Sequence, residues 1–397
     1  MLTAFYILVL QQILQGIYSL WEGFSWLRYA RRRLATHHGF YAPRVALICP
    51  CKGAEPGLEK NLTALTRFDY PSYEIFFALA SATDPARPVI EKLAAASAHP
   101  AHVVIAGPPK DCGEKVNNLR AAVEQAGEAV EVFVFTDSDI RPGRHWLARL
   151  VTPLADPKLG AATTFRWMMP HRGGFWSGMA AAWNAAIVTM QGEHARNFCW
   201  GGGTAIRRAV FEEVHAREFW QGAVSDDYAL TRALQQAGRR ILFVPECLAP
   251  AQQDFTVHEL LEFTDRQIII TRVYAPRLWA LGGLTHFSYC GTLLFAGGIL
   301  LGLMISGDSW FTLATLVLLI PLLSALKGAL RQVAVMELLP EWSAKLLQWS
   351  WVWIVLAPLA PFLFLWNCLT AALTRQIRWR GIRYLLISPG QTRILSR

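Results

Sequence analysis

"VEVFVFTDSDI", residues 130–140, decides how this chain is read. Its first half is dominated by Val and Phe, the composition of a strand buried on both faces. The run then ends in Asp137 and Asp139, one residue apart, where the chain leaves the strand. Asp and Ser are ordinary turn formers, so a plain strand-to-loop junction accounts for them. A metal site accounts for them more sharply. Residues two apart in extended chain share a face. Two carboxylates held there repel unless a cation or a proton lies between them. Hard divalent ions, Mg2+ or Mn2+, take oxygen ligands and bridge to substrate phosphates. Asp-x-Asp alone is common by chance, and the rest of the chain has to choose.

Working outward, short β-rich runs recur at 45–49, 74–80, 102–107, 132–135 and 241–244. Helix-like stretches separate them, near 57–67, 86–97, 114–127, 142–154 and 226–237. Strands alternating with helices predict an α/β domain with a mainly parallel sheet. Ligands of such sheets bind beyond the carboxyl ends of the strands, which is where the Asp pair lies. Asp84 follows a second strand at the same expected edge, in "SATDPA". Asp226 and Asp227 open a helix in "VSDDYALTRAL", where Asp226 also reads as a helix cap. "WGGGTAIRR", with Gly202 the middle of its three glycines, permits close backbone approach to a ligand. Lys115 stands at the start of a helix, where the dipole disfavours a cation. A phosphate contact explains it, and so does a solvated surface position.

Composition adds a second element. Hydrophobic residues make up 53% of the 397 and charged ones 17%, with 16 Trp and a mean hydropathy of +0.27. Uncharged runs at 1–21, 283–306, 309–326 and 346–374 explain this. Each approaches the roughly 20 residues that cross a bilayer. No basic residue precedes the first run, and Arg28, Arg31, Arg32 and Arg33 follow it. It therefore reads as an uncleaved anchor with residue 1 outside and the next segment in the cytosol. The formal net charge of +9 suits anionic lipid headgroups. No basic-aromatic module points to nucleic acid. The last run contains Pro358 and Pro361 and reads as broken or re-entrant. Segments 175–192 and 255–281 are apolar but too short or too mixed to span. They read as interfacial helices or as ordinary core helices. Seven scattered cysteines show no zinc spacing and are expected to pack as reduced thiols.

The expected organisation is an anchor at 1–27, a cytosolic domain at 44–254 and an amphipathic segment at 255–281. Membrane helices at 282–374 and a basic tail at 375–397 complete it.

The order of these motifs resembles the inverting family 2 glycosyltransferases. It runs Asp84, Lys115-x-x-Asn118-Leu119, Asp137-Ser138-Asp139, the Gly-rich segment, Asp226-Asp227-Tyr228 and Arg266-Gln267. "PCKGAEPGLEKNLTAL" (50–65), "FDYPSYEI" (68–75) and "RQIRWRGIRYLL" (375–386) are similar to blocks of the membrane-embedded ceramide glucosyltransferase branch. The resemblance implies a glycosyltransferase A-type (nucleotide-diphospho-sugar transferase) domain plus transmembrane helices in an inner cell membrane. It implies a UDP-sugar donor, UDP-glucose foremost, a lipid hydroxyl acceptor and a divalent Mn2+ or Mg2+ ion. It gives Asp84 the uracil, Asp137 and Asp139 the diphosphate-bound metal, and Asp227 the role of catalytic base. Lys115, Gly202, Asp226, Arg266 and Gln267 fall around the substrate. The chain departs from the family where Ile269 and Ile270 replace an Arg-Trp pair. Arg272, three residues past Ile269, is the expected substitute cation if the segment is helical. A polyprenyl-phosphate or polysaccharide transferase and a silent membrane-associated binding protein are the competing readings.

Overall fold

The computed structural model describes residues 2–36, 39 and 41–397; Met1 of the expected anchor lies outside them. The chain forms two compact units. A sheet unit takes Arg33–Trp167, Met190–Gln252 and Arg375–Arg397. A helical unit takes Met1–Arg32, Met168–Thr189 and Gln253–Thr374.

The sheet unit is built on β1 (Val45–Pro50), β2 (Tyr73–Leu79), β3 (Ala101–Ile105), β4 (Val132–Thr136) and β5 (Leu159–Thr163). Of the next four strands, β7 (Gly203–Arg207) and β8 (Arg240–Phe243) join it, whereas β6 (Arg166–Met169) and β9 (Ala249–Gln252) do not. Strand order is β3-β2-β1-β4-β7-β5-β8. Only β7 runs against its neighbours, so the sheet is mainly parallel, as expected. Strands β1 and β4 are sealed on both faces, with Val45, Leu47, Val132, Phe133 and Val134 fully buried. Their register pairs Ile48 with Phe135, so the two strands end side by side and their following loops emerge together.

Strands β5 and β7 were not among the expected elements. Their sequences, "LGAAT" and "GTAIR", lack the branched or aromatic run that announced the others. Neighbouring side chains explain the small residues. A Cβ on Gly160 would stand 2.7 Å from Arg239 and 2.8 Å from Leu234.

Residues 375–397, expected as a basic tail, form a three-stranded antiparallel sheet: β10 (Gln376–Trp379), β11 (Ile382–Ser388) and β12 (Gln391–Ser396). Ile377, Ile382, Tyr384, Leu386 and Thr392 are buried while residues between them are exposed or partly exposed, the period-two pattern of a half-buried sheet. The β10–β11 link is a two-residue turn at Arg380 and Gly381, both with positive φ (47° and 85°). Two left-handed residues are what a tight hairpin needs to match strand twist.

Among the described residues, three helices of the helical unit are long and apolar enough to cross a membrane: Leu2–Ala35, Pro276–Ser306 and Phe311–Leu338. Their surfaces are greasy rather than polar: Ile7, Leu284, Leu294, Ile305, Phe311 and Leu318 are each more than 60% exposed. A helix apolar all round needs an apolar surrounding. The first and third run parallel. Gly16 packs on Leu323, Gly23 on Lys327 and Leu330, and Arg31 pairs with Glu337 at 2.6 Å.

The fourth uncharged run is not one helix. It breaks into Ser343–Gln348, Ser350–Val355 and Ala360–Leu373, the last only 14 residues long. Pro358 falls in the break and Pro361 in the first turn beyond it, where a missing N–H is tolerated. The segment at 175–192 forms the helix Phe175–Val188, and it is core, not surface. Residues 177–185 are buried, and Trp183 stacks on Phe364 and donates its indole N–H to Asn367 at 3.1 Å.

Candidate active site

The site is assembled at the carboxyl ends of β1, β2 and β4 within the sheet unit. Asp84, past β2, accepts with Oδ1 from the backbone N–H groups of Gly53 (2.8 Å) and Ala86 (2.9 Å). It thereby ties the loop after β1 to the loop after β2.

Past β4, Asp137 and Asp139 take different partners. Asp137 Oδ1 lies 2.8 Å from Lys115 Nζ, and Asp139 Oδ2 accepts from Arg166 at 3.2 Å. Lys115 also reaches Asp226 Oδ1 at 3.2 Å, so one ammonium joins the β4 loop to the start of the helix Asp226–Gln236. Asp139 Oδ1 is buried and accepts no hydrogen bond among the described residues.

The glycines of the "WGGG" segment are required by these contacts. A Cβ on Gly202 would stand 2.7 Å from Asp137 Oδ2 and collide with the Trp200 ring. One on Gly201 would stand 2.6 Å from Lys115 Nζ and strike the Asp226 carboxylate. The backbone at these positions lies directly on the charged cluster.

Electrostatics separate the three groups that share Lys115. Burial by itself would lower the pKa of Lys115, but Asp137, Asp226 and Asp227 outweigh it and hold the ammonium charged. Burial pulls Asp137 upward, yet Lys115, then Arg166 and Arg380, bring it below the ordinary carboxylate value. Asp226 moves the other way, to about 6, because burial dominates and the neighbouring Asp227 and Asp137 add to it. Only 4% of Asp226 is exposed.

Helix capping falls to Ser225, not to Asp226. Ser225 Oγ accepts from the Tyr228 N–H and donates to Asp227, whose Oδ1 also accepts from that N–H at 2.8 Å. Asp226 turns inward to Lys115, and Asp227 stays half-buried.

Three expected site residues, Arg266, Gln267 and Arg272, lie in the helical unit, on Val257–Tyr274. The guanidinium of Arg272 donates to the Ala371 carbonyl and stands 5.2 Å over the Trp279 ring. Arg266 stands over the Phe263 ring, and the Gln267 carbonyl accepts from the Thr271 hydroxyl. Ile269 and Ile270 are buried.

Two cations of the site escaped the sequence reading. Arg166 lies on the short β6 with no motif around it. Arg380 sits at the β10–β11 turn, donates to the Lys52 carbonyl at 2.8 Å and pairs with Glu55 at 2.8 Å. Tyr384 of β11 accepts from the Glu114 N–H, one residue before Lys115. The signal for this hairpin was legible: alternating residues around Trp379-Arg380-Gly381-Ile382. Its basic composition drew the reading toward a tail.

The family model of glycosyl transferase family 21 matches residues 4–392. The chain belongs to glycosyl transferase family 21. It is a glycosyltransferase, and family 21 is the family 2-like ceramide glucosyltransferase family whose blocks the sequence resembles. Among solved structures, it is similar to the mannosyltransferase PcManGT of Pyrobaculum calidifontis, in complex with GDP-Man and Mn2+. That pair shares 18% identity over 89% of this chain and 98% of the other, with a TM-score of 0.49. It is also similar to glucosyl-3-phosphoglycerate synthase of Mycobacterium tuberculosis in complex with phosphoglyceric acid. There the identity is 14% over 63% and 84% of the two chains, with a TM-score of 0.39.

Proposed function

We propose that this family 21 enzyme is an integral membrane protein that moves a sugar from a UDP-sugar to a lipid hydroxyl. Glucose is the leading sugar and ceramide or a related lipid the leading acceptor. The observation that carries the chemistry is the cluster of Asp137, Asp139, Asp226 and Lys115 laid against the glycine backbone at the strand ends.

The donor set fits a divalent cation such as Mn2+ or Mg2+. No group of three or more His, Cys, Asp or Glu ligands is present among the described residues. Ions of the Mg2+ type need only one or two carboxylates when substrate phosphates and water supply the rest. Asp137 and Asp139 would hold the ion, and the unpartnered Oδ1 of Asp139 is an oxygen in want of a cation. Bound there, the ion supplies charge stabilisation for the departing diphosphate.

The residues of the chain do the rest. Lys115 and Arg380 add positive charge beside Asp137, where the diphosphate would lie. Asp84 anchors the base-binding loop. Asp227, half-buried and held by Ser225, takes the proton of the acceptor hydroxyl as its oxygen attacks the anomeric carbon. The carbon–oxygen bond to the diphosphate breaks on the opposite side, UDP leaves, and the anomeric centre inverts.

Support for a lipid acceptor comes from the helical unit, whose long helices present apolar surface outward. If the three long helices all cross from an outside start, residues 36–275 and 339–397 share one face, and the Arg28–Arg33 cluster supports the cytosolic one. Four would have put β10–β12 on the opposite face from β1–β8. The test is UDP release from UDP-glucose by the purified protein with Mn2+, with and without lipid extract, followed by mass spectrometry of the lipids. Lipid-dependent release with a glycosylated lipid product supports the reading. Transfer to a water-soluble acceptor alone overturns it.

A further inference from the structure

A cavity of about 200 Å³ opens inside the helical unit, between Leu2–Ala35, Pro276–Ser306, Phe311–Leu338 and residues of shorter helices. Lys327 and Arg331 both line it, four residues apart and so on one face of a mostly apolar helix. Like charges at that spacing repel, and ionisable groups among apolar helices are costly unless something compensates them.

The compensation present is slight. Lys327 donates to Ser19 Oγ at 2.7 Å, a neutral partner. Its nearest carboxylate, Glu22, is 3.9 Å away and has its side chain 46% exposed. Arg331 makes no ion pair among the described residues, and its Nε is buried without a hydrogen-bond partner. Polar groups that suit an oxyanion, Gln12 and Ser324 among them, share the wall, and Ile320, Leu323 and Phe364 give it an apolar part.

We infer that this cavity binds the phosphate of an anionic phospholipid, one whose charge no amine in its own headgroup cancels. Two cations against one distant carboxylate leave a net positive site. Arginine and lysine side by side match a phosphate's oxygens as charge-assisted donors. The apolar part of the wall suits the acyl end of a lipid rather than a free ion. The site is separate from the strand-end cluster, which carries excess negative charge. It rests on the membrane reading proposed above, and flotation of the protein with vesicles tests that reading by itself.

The experiment uses full-length protein, delipidated in detergent and returned to nanodiscs of phosphatidylcholine with or without phosphatidylglycerol. Melting temperature and lipid retention by native mass spectrometry are the readouts. Phosphatidylglycerol is expected to be retained about tenfold over phosphatidylcholine and to raise the melting temperature, tenfold being about 1.4 kcal/mol. The variant Lys327→Gln/Arg331→Gln is expected to lose that preference, and Lys327→Arg to keep it. Equal retention of the two lipids by the wild-type protein would overturn the inference without any variant having to fold. Undiminished preference in the double variant overturns it as well. Inorganic phosphate protecting the detergent-solubilised protein as well as phosphatidylglycerol does overturns the lipid as the source. Failure to float with vesicles defeats the membrane reading instead.

Discussion

The two units treat buried charge in opposite ways. In the sheet unit, Lys115 is bracketed by Asp137 at 2.8 Å and Asp226 at 3.2 Å, with Asp139 beyond on Arg166. Carboxylates are in surplus there. In the helical unit, Lys327 and Arg331 share one cavity with a single carboxylate 3.9 Å away, and cations are in surplus. A surplus is not a stable condition for a desolvated group, since an uncompensated buried charge is among the costliest features a fold can hold. The sign of each surplus therefore states what each place lacks: a cation in one, an anion in the other.

The strongest way to break the comparison is to remove the carboxylate surplus. Asp137→Ala or Asp139→Ala is expected to cut metal-stimulated transfer by about 10³-fold or more, since metal-borne charge stabilisation supplies several kcal/mol. Turnover with and without Mn2+ checks this, and undiminished stimulation in both variants would remove the metal assignment. Next comes the pair at the helix start. Asp227→Asn is expected to lose about 10² to 10⁴ in transfer rate while keeping nucleotide binding, and Asp226→Asn to lose less. Titration with UDP beside transfer assays decides it; a dead Asp226 variant beside an active Asp227 variant reverses the roles.

Legibility in the sequence followed the same divide. The strands that read clearly were those built from Val, Ile and Phe, such as β1 and β4. Strands β5 and β7, made of Gly, Ala and Thr, were missed because close neighbours select their residues, not a periodic pattern. At the site, Asp84, Lys115, Asp137, Asp139, Gly202, Asp226 and Asp227 all fall in the sheet unit, at strand ends or on the segments packed against them. What the sequence did not show was which of the two adjacent aspartates turns inward. Burial and the reach of Lys115 settle that, and neither leaves a mark on residue type. Arg272 was read as a cation in search of a phosphate; in the fold its guanidinium is taken up by Ala371 and Trp279.

A smaller effect sharpens the geometry of the cluster. Gly202→Ala places a Cβ against Asp137 Oδ2 and the Trp200 ring, so donor affinity is expected to fall roughly 10- to 100-fold, the 1–3 kcal/mol typical of overpacking. Competition binding with UDP reads this directly, and unchanged affinity would mean the segment yields.

The smallest expected effect is on stability against pH. The folded pKa of Asp226, about 6, stands above the ordinary value near 3.9. Between those values the folded chain binds more protons than the unfolded one, so this group's contribution to stability falls as pH rises through that window. Thermal melts from pH 4 to 7 are expected to show a shallower decline in Asp226→Asn than in the wild-type chain. An unchanged slope would assign the titration elsewhere.

The hairpin at Arg380 has a consequence for how the enzyme is made. Its strands follow every long apolar helix in chain order, yet Tyr384 and Arg380 bond to loops at Glu114, Lys52 and Glu55. In chain order, these contacts become available to the strand-end loops only after the long helices among the described residues have been translated. A ribosome that stalls after the third of these helices leaves a chain that carries every aspartate of the cluster but neither Arg380 nor Tyr384.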